Sequence, residues 1–503
     1  MAAPEAAISI GSREKPLALI SIFSSARLLS EIFLFIRGLS LAVVFGPHVM
    51  GVWTQMKLVL IFFPYSHLGT NDAMAREVPR AVGKGDLPRA DRIKRTSLGF
   101  NLLLSSCLAL LFVSYLLVHK GGVDISFRTE WMLLPAVLML NQMLHYVIVR
   151  LQAENNIGRS GVLILGFSCV STIAGIAAAN YIGLAGFIVV VGLSCVAMLY
   201  WGEGISYCRH PVLDFSVIPG LIKTGFPIMM STAMLILLWN IDKIVISYLM
   251  SARDLGIYAF QSSIMGVLMI VPHAVGTVFY PKIMENIGRS IDKDMLEKYL
   301  VLPTLTMSYL IIPILGIIFL TVHLPIRWLL PQYALSIVPG QICVFGVFFM
   351  VMAKMPVTLL VSLNKQNILL VLAAVSVLSG FAADVFFIRY GYGLVGVAAG
   401  TAMSFGVYAV LAIFYCIKTI DLPFARTGSF LYLAFLPYVF TCIACMAIQY
   451  CLPGDITDWK KDLMNTSIGN GLIIASTSIL YFRLNKRYGV LSNIFGNGKW
   501  SAA

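Results

Sequence analysis

The sequence predicts an all-α polytopic membrane protein, with about fourteen transmembrane helices in two parallel six-helix repeats plus two C-terminal helices. Its composition, the spacing of its apolar runs and an internal repeat support this fold class. Of 503 residues, 59% are hydrophobic and 12% are charged, whereas soluble domains carry about 25% charged residues. This composition excludes a soluble enzyme, a nucleic-acid-binding protein and a disordered chain.

Apolar runs of the length of a membrane helix, about 20 residues, recur along the whole chain. The first run is longer than the apolar core of a signal peptide, so we expect a membrane span and no cleaved leader. The predicted spans are 17–45, 51–71, 96–118, 131–151, 160–180, 183–203, 217–250, 257–281, 299–322, 335–361, 367–388, 393–417, 429–451 and 466–483.

Lysine and arginine residues are distributed unequally between the two sides of these spans. If the N-terminus is cytoplasmic, and if Arg150, Lys223 and Arg483 at the cytoplasmic ends of their spans are counted with that side, 24 of the 36 basic residues fall on the cytoplasmic side, 7 on the outer side and 5 within spans. Cytoplasmic loops of membrane proteins carry such an excess. We therefore predict that both termini are cytoplasmic, which agrees with an even number of spans.

The two halves of the chain repeat each other at an offset of 205 to 210 residues. Six spans per repeat is an even number, so the halves share one orientation, as in transporters that rock two bundles about a central site. We predict one bundle over 1–210, a second over 211–420, and two extra helices with a tail over 421–503. The matching segments are Gly51-Val52-Trp53 with Gly256-Ile257-Tyr258, Leu68-Gly69-Thr70 with Val275-Gly276-Thr277, and Gly183-Leu184-Ala185-Gly186 with Gly393-Leu394-Val395-Gly396.

Charged residues within spans predict a binding chamber. A charge at the middle of a span costs roughly 2.5–3.5 kcal/mol on insertion scales, so it usually faces a wet cavity or a partner. Guanidinium groups match phosphate oxygens and lysines add point charge, which favours phosphate or pyrophosphate as ligand. The alternative is that these side chains extend to the headgroups or form structural ion pairs. The predicted substrate-binding residues are Arg27, Arg37, Lys57, Lys243 and Lys354.

Two carboxylates accompany these cations. Glu31 lies four residues after Arg27 and can pair with it on one helix face. Asp242 is either a coupling group for a proton or sodium ion, or a partner of a cavity lysine. Lys354 could instead reach the cytoplasmic interface. We expect Asp384, close to Arg389, to be interfacial.

No segment of the sequence has the features of a catalytic domain. The outer loops are short, and no phosphate-binding Walker loop is present. The cysteines lie mostly in apolar runs without a metal-ligand pattern. We therefore expect a protein that is not an enzyme and has no cofactor or metal. Its energy source would be an ion gradient, the membrane potential or the gradient of its substrate.

Four segments of the chain have a recognisable pattern of glycine, aromatic and charged positions in apolar runs. They are VFGPHVMGVW and LGTNDAMAREVPRAVGKGD in the first half, and GFPIMMSTAMLILLWNIDKIVISYLMSARDLGIYAFQSSI and GYGLVGVAAGTAMS in the second. These segments resemble the polysaccharide transporters, or O-antigen-type oligosaccharide flippases, of the multidrug/oligosaccharidyl-lipid/polysaccharide (MOP) flippase superfamily. The resemblance covers about residues 15–420, and the last two spans suit its fourteen-span members.

The resemblance implies a flippase that moves a polyprenyl-pyrophosphate-linked oligosaccharide from the cytoplasmic to the outer leaflet of the bacterial inner membrane. It implies alternating access around a cationic cavity, with membrane lipids and a polysaccharide polymerase as partners, and no nucleic acid. The internal repeat favours a monomer. A multidrug or organic-cation antiporter of the same superfamily, a lipid II flippase and a membrane polymerase or ligase are the alternatives. The glycan, the lipid carrier and the coupling ion stay open.

Overall fold

The computed structural model describes residues 16–118, 125–202, 211–270, 293–363, 365–452 and 458–488, with single positions 272, 273, 275, 283 and 454. These parts of the chain form helices and contain no strand, which confirms the predicted all-α class. The helices are α1 Pro16–Phe62, α2 Thr70–Gly83, α3 Leu87–Val118, α4 Arg128–Ala153, α5 Ile157–Ile182, α6 Leu184–Trp201, α7 Ile218–Leu238, α8 Ile241–Leu249, α9 Ala252–Leu268, α10 Lys293–Thr321, α11 His323–Leu329, α12 Ile337–Ser362, α13 Gln366–Arg389, α14 Gly393–Ile420, α15 Phe424–Cys451 and α16 Trp459–Tyr488.

Eleven helices among these residues are long and apolar enough to cross a membrane, so the chain is a multi-pass membrane protein. The predicted number of fourteen is not confirmed by this count. One of the eleven segments, Phe23–His67, covers most of two predicted spans, 17–45 and 51–71. The predicted span 257–281 is described continuously only to residue 270, and its helix α9 has 17 residues.

Helix α1 changes direction at Gly46. A straight helix of its 47 residues would be about 70 Å long, more than twice the roughly 30 Å of the hydrocarbon core. Gly46 has φ 68° and ψ 172°, a backbone conformation that glycine adopts without a steric penalty. Phe45 and Trp53, on either side of this turn, both contact the ring of Phe187. Residues 16–45 and 47–62 therefore form a helical hairpin, whose segments we call the first and second arms of α1.

Two ends of the helix bundle can be distinguished from these turns. The Gly46 end carries the α1 turn, the junction of α8 with α9 and the turn at Gly391, and the sequence predicts that it faces outside. The Gly69 end carries the junction of α1 with α2 and the start of α7. The direction of insertion in the membrane stays a prediction.

Apolar clusters lie within each half of the chain. In the first half, α1 packs on α5, and α4 packs on α6, with Tyr146 and Phe187 fully buried. In the second half, α14 packs between α12 and α13, around buried Phe348 and Phe405. The halves meet where α1 contacts α9 and where α2 contacts α7. The predicted boundaries at 210/211 and 420/421 stay predictions.

The last two helices pack against α10 of the second half. Asp462 of α16 has no exposed surface and lies 3.0 Å from His323 Nε2, and Trp328 Nε1 donates to it over 2.9 Å. On α15, the Ala434 carbonyl accepts a hydrogen bond from Ser308 Oγ at 3.1 Å. Because a buried carboxylate needs such donors, Asp462 holds α16 against α11.

Candidate functional site: a cationic cavity between the two halves

A cavity of about 540 Å³ lies between the halves of the chain. Both arms of α1 form its wall on one side, and the α7–α8 junction and α9 form the other. Four basic side chains and one carboxylate line it, which gives a formal charge of +3. These are Arg27, Arg37, Lys57, Lys243 and Glu31. The structure thus brings together four of the five predicted cations.

The first arm of α1 presents its charges at two depths. Arg27 Nε lies 3.7 Å from Glu31 Oε1, and the Arg27 side chain is 61% exposed, so this pair contributes little to stability. Arg37 NH1 donates to Ser171 Oγ at 2.9 Å, and its guanidinium carbon lies 5.9 Å from the centre of the Phe187 ring. Helices α5 and α6 therefore position Arg37. A guanidinium has five N–H donors, so donors remain for a ligand.

Lys57 extends from the second arm of α1 into the same cavity. It is exposed, and within the described part of the chain it has no hydrogen bond or ion pair. Its ammonium group carries three donors. Lys57 is therefore the cation most available to a ligand in this wall.

The opposite wall is formed where a membrane helix is interrupted. Helix α7 ends at Leu238 and α8 begins at Ile241. The carbonyl of Trp239 accepts a hydrogen bond from Lys243 Nζ at 2.8 Å, and Asn240 Nδ2 donates to the Ile236 carbonyl at 2.8 Å. Interrupted helices expose main-chain polar groups at the substrate sites of transporters. Here side chains satisfy two carbonyls at the interruption.

Asp242 lies behind Lys243 and is not part of the cavity wall. Its side chain is buried, and its Oδ1 accepts from Lys243 N at 2.7 Å and from Lys243 Nζ at 3.3 Å. Its Oδ2 lies 2.9 Å from the Tyr258 hydroxyl and 3.2 Å from Thr401 Oγ1. Asp242 is therefore a fully bonded partner of Lys243, one of the two roles that the sequence left open for it.

Asp384 is a buried carboxyl group that the sequence analysis placed wrongly. It was expected at the interface beside Arg389, but its exposed fraction is 0%. Neither of its oxygens has a hydrogen-bond partner among the described residues. A Cβ at Gly400 would overlap Asp384 Oδ1, and Gly400 precedes Thr401, the partner of Asp242. Its position inside an apolar run was a signal that could have indicated burial.

Lys354 is the predicted cation that does not line the cavity. Its Nζ lies 3.3 Å from His273 Nδ1, and His273 is part of the wall. Lys354 is thus separated from the cavity by the imidazole. Uncharged polar and aromatic residues of the wall were not predicted as site residues, namely Trp53, Thr54, Trp239, Asn240, Ser262 and Ser263.

Close backbone contacts join the two halves at both ends of the helix bundle. A Cβ at Gly51 would overlap the Ala252 carbonyl at the Gly46 end. A Cβ at Gly225 would overlap the Gly69 carbonyl at the Gly69 end. Only a residue without a side chain allows such an approach. The two halves are therefore in direct backbone contact where α1 meets α9 and where α7 meets the start of α2.

Comparison with known proteins identifies the fold. No family model matches the chain. A Shigella flexneri protein named as an O-antigen transporter is 22% identical over 382 residues, covering 70% of this chain and 86% of that protein. A structure of the lipid II flippase MurJ in an inward closed conformation superposes with a TM-score of 0.70 at 16% identity, over 92% of this chain and 99% of the other.

Two further structures have the same architecture. A MOP superfamily transporter from Pyrococcus furiosus, described as having a binding pocket of reverse polarity, has a TM-score of 0.57 at 14% identity. It is matched over 97% of its length and 81% of this chain. The Vibrio cholerae MATE transporter VcmN has a TM-score of 0.58 at 14% identity, with 83% of this chain and 99% of the other covered.

These matches confirm the resemblance stated from the sequence, and the chain has the fold of MOP superfamily transporters. The relatives are transporters and flippases rather than enzymes, in agreement with the prediction that this chain is not an enzyme.

Proposed function

We propose that this protein is a flippase that moves a polyprenyl-pyrophosphate-linked oligosaccharide from the cytoplasmic to the outer leaflet of a bacterial inner membrane, for surface polysaccharide synthesis. The cavity between the two halves carries the proposal, because its four basic side chains face one carboxylate. The relative named as an O-antigen transporter and the shared fold with a lipid II flippase support it.

The chemistry of the cavity suits a pyrophosphate headgroup. Arg37 and Lys57 face Lys243 across the space between the halves, so anionic oxygens can contact both halves at once. Such charge-assisted hydrogen bonds are about twice as strong as neutral ones. Arg27, with Glu31 beside it, lies further from the Gly46 turn on the same arm, and Lys354 would act through His273. A ligand that contacts both walls stabilises the state in which the two walls are close. Alternating access requires that the ligand shift the equilibrium between states in this way.

The membrane potential favours this direction of transport. A lipid pyrophosphate carries about two negative charges, and each charge moved outward across 100 mV releases about 2.3 kcal/mol. The total is roughly 4–5 kcal/mol, so transport does not require antiport. We assign Asp242 primarily as the partner of Lys243. A coupling role for Asp242 or Glu31 would add to the driving force.

The charge of the cavity separates this function from a cation exporter. An organic cation would enter a space with a formal charge of +3, in which the one lining carboxylate already lies beside Arg27. A lipid II flippase is the second candidate, favoured by the TM-score of 0.70 to MurJ. Both candidates carry a polyprenyl pyrophosphate and differ in the saccharide.

The proposal also includes the orientation of the protein in the membrane, its partner and its oligomeric state. We place both termini in the cytoplasm, because of the excess of basic residues on that side. A polysaccharide polymerase would use the product on the outer face. One chain supplies both walls of the cavity, so a monomer suffices.

Deletion of the gene in its host, followed by leaflet analysis of the lipid-linked precursor, tests this function. We expect surface glycan to be lost and the precursor to accumulate in the cytoplasmic leaflet. Arg37→Ala and Lys243→Ala should fail to restore transport. Lys223→Ala, on an exposed position of α7 outside the cavity, should restore it.

Other outcomes of the same experiment contradict the proposal. Normal glycan with increased sensitivity to cationic drugs would establish a drug exporter. Precursor that reaches the outer leaflet without being polymerised would indicate an enzyme acting after translocation. Loss of peptidoglycan precursor transport would favour the lipid II flippase.

A further inference from the structure

A second space lies on the other side of the α1 second arm. It is a groove of about 980 Å³ between this arm, α8 and α13, near the Gly46 end. Its walls come from both halves of the chain. Lining residues include Val52, Val59, Trp131, Tyr248, Phe381 and Arg389.

The α1 second arm separates this groove from the cationic cavity. Lys57 faces the cavity, whereas Val59 faces the groove, and Leu58 contributes to both. On the opposite side, Lys243 lines the cavity and Ile244 lines the groove. Residues 57–59 of the second arm and residues 243–244 of α8 therefore form a common boundary between the two spaces. Separation of the second arm from α8 would join the spaces.

The groove is mostly apolar, with Gln55 and Ser247 as uncharged polar residues in its lining, and it is open at its side. Tyr248 is 89% exposed and Phe381 is 49% exposed, and in a membrane these side chains contact lipid. A hydrocarbon chain can lie along such a surface without loss of hydrogen bonds. Ordinary lipid-facing helix surfaces have the same property, so the apolar character alone does not define a site.

Arg389 distinguishes the groove from the rest of the apolar surface. It is the last residue of α13 and is exposed, and no hydrogen bond or ion pair engages it in the described part of the chain. It lies at the Gly46 end, where the sequence predicts headgroups of the outer leaflet. An apolar groove that ends in an unpaired guanidinium is complementary to a lipid with a long hydrocarbon chain and a phosphate headgroup.

We propose that this groove is an exit site for the transported lipid, which binds its hydrocarbon chain while Arg389 receives the pyrophosphate as it leaves the cavity. This inference rests on the proposed function. The common boundary favours the transported lipid over a bulk phospholipid as occupant, because a headgroup held by Lys57 and Lys243 needs a path for its chain between the second arm and α8.

Photo-crosslinking in native membranes tests the occupant. Tyr248 would be replaced by benzoylphenylalanine, a larger aromatic side chain that this 89% exposed position can accommodate. The matched control is the same replacement at Ile173, which is 64% exposed on α5 and does not line the groove. We expect the Tyr248 probe to label the lipid-linked saccharide, and the Ile173 probe to label phospholipid.

Arg389→Gln in the Tyr248 probe protein should lower labelling of the lipid-linked saccharide about tenfold, as expected for loss of a charge-assisted contact. Arg389→Lys should retain most of it. Equal labelling of phospholipid at both probe positions, without the saccharide lipid, would overturn the inference, and so would labelling that is unaffected by Arg389→Gln.

Leaflet analysis in the same cells separates this inference from the proposed function. Translocation by the Tyr248 probe protein without labelling of the saccharide lipid contradicts the exit site alone. Absence of translocation by the wild-type protein contradicts the proposed function.

Discussion

The charged side chains of the first helix are placed differently in the two halves, although the repeat predicts that the two helices are equivalent. The first arm of α1 is unbroken to Gly46, and its charged side chains line the cavity. The equivalent segment of the second half is interrupted at Asn240, and its carboxylate Asp242 is turned into the protein. The first half thus supplies accessible cations, whereas the second fixes one cation through a buried partner.

The two segments of the repeat that pair a glycine with an aromatic residue, 51–53 and 256–258, also differ in how they contact charged groups. Trp53 packs edge-to-face on Phe187, with ring centres 4.8 Å apart, and has only an apolar contact there. Its counterpart Tyr258 places its hydroxyl 2.9 Å from Asp242. One position of a shared pattern is therefore used for packing in one half and for charge positioning in the other.

Gly51→Val should have the largest effect, because it acts on the contact that both halves share. The valine side chain would overlap the Ala252 carbonyl, so α1 and α9 could not approach at the Gly46 end. We expect transport to be abolished while the protein still inserts. The measurement is precursor translocation, together with thiol labelling of a cysteine introduced at Thr54.

The control for this substitution is Gly471→Val on α16, where a Cβ would meet no atom within 4 Å. It should transport normally. Wild-type transport by Gly51→Val, or unchanged labelling at position 54, would show that the glycine contact is not needed during the transport cycle.

Lys57→Ala should have the next largest effect, and it tests the role of the first half as supplier of accessible cations. Hydrogen bonds to charged groups are worth about 1.5–3 kcal/mol, so we expect transport to fall roughly 10- to 100-fold. The stability of the purified protein should be unchanged, because Lys57 makes no hydrogen bond within the described residues. Transport rates and thermal unfolding check the two parts.

Lys57→Arg is the matched control, since it keeps the charge and most of the length. Retained transport in Lys57→Arg with loss in Lys57→Ala supports an electrostatic role. Equal loss in both variants would indicate that the shape of Lys57, rather than its charge, is required.

Tyr258→Phe tests the second half, in which the buried carboxylate of Asp242 holds Lys243. It removes a hydroxyl that contacts Asp242 and Thr401 and leaves an under-bonded carboxylate, which costs about 1–3 kcal/mol of stability. We expect a lower midpoint of thermal unfolding and reduced transport. Trp53→Phe in the first half should leave the hydrogen bonds of Asp242 unchanged. An unfolding midpoint for Tyr258→Phe equal to that of the wild type would show that Thr401 and Lys243 are sufficient.

The sequence predicted which cations would lie together in the cavity better than it predicted their partners. Arg37, Lys57 and Lys243 could be placed together because charges in spans are rare and the repeat aligns spans one and seven. The interruption at Asn240 was not predicted, because 217–250 reads as one apolar run. The burial of Asp384 depends on the absence of a side chain at Gly400, a contact between helices that span patterns do not indicate.

The groove could not be predicted either. Its walls combine the outer surface of the α1 second arm with α8 and α13, and each of these surfaces alone looks like an ordinary lipid-facing helix. In the sequence, Arg389 is one of the few basic residues on the predicted outer side. Its significance depends on the boundary that the groove shares with the cavity.

Asp72→Asn should have the smallest effect, and it extends the comparison to a carboxyl group of the first half that keeps access to water. Asp72 lies on α2, at the Gly69 end, with 29% of its side chain exposed and its Oδ2 3.8 Å from His67 Nε2. Burial raises the pKa of Asp72 to about 6, above the value of about 3.9 in unfolded chains.

Because the pKa is higher in the folded protein, the folded state binds this proton more tightly. The resulting stabilisation is complete below about pH 4 and is lost as the pH rises through about 6. Asp72→Asn removes this dependence, so the change in unfolding midpoint between these pH values should be smaller than in the wild type. Asp86→Asn, at an exposed position, is the control. Identical pH profiles for Asp72→Asn and the wild type would show that the Asp72 carboxyl is hydrated as fully as in the unfolded chain.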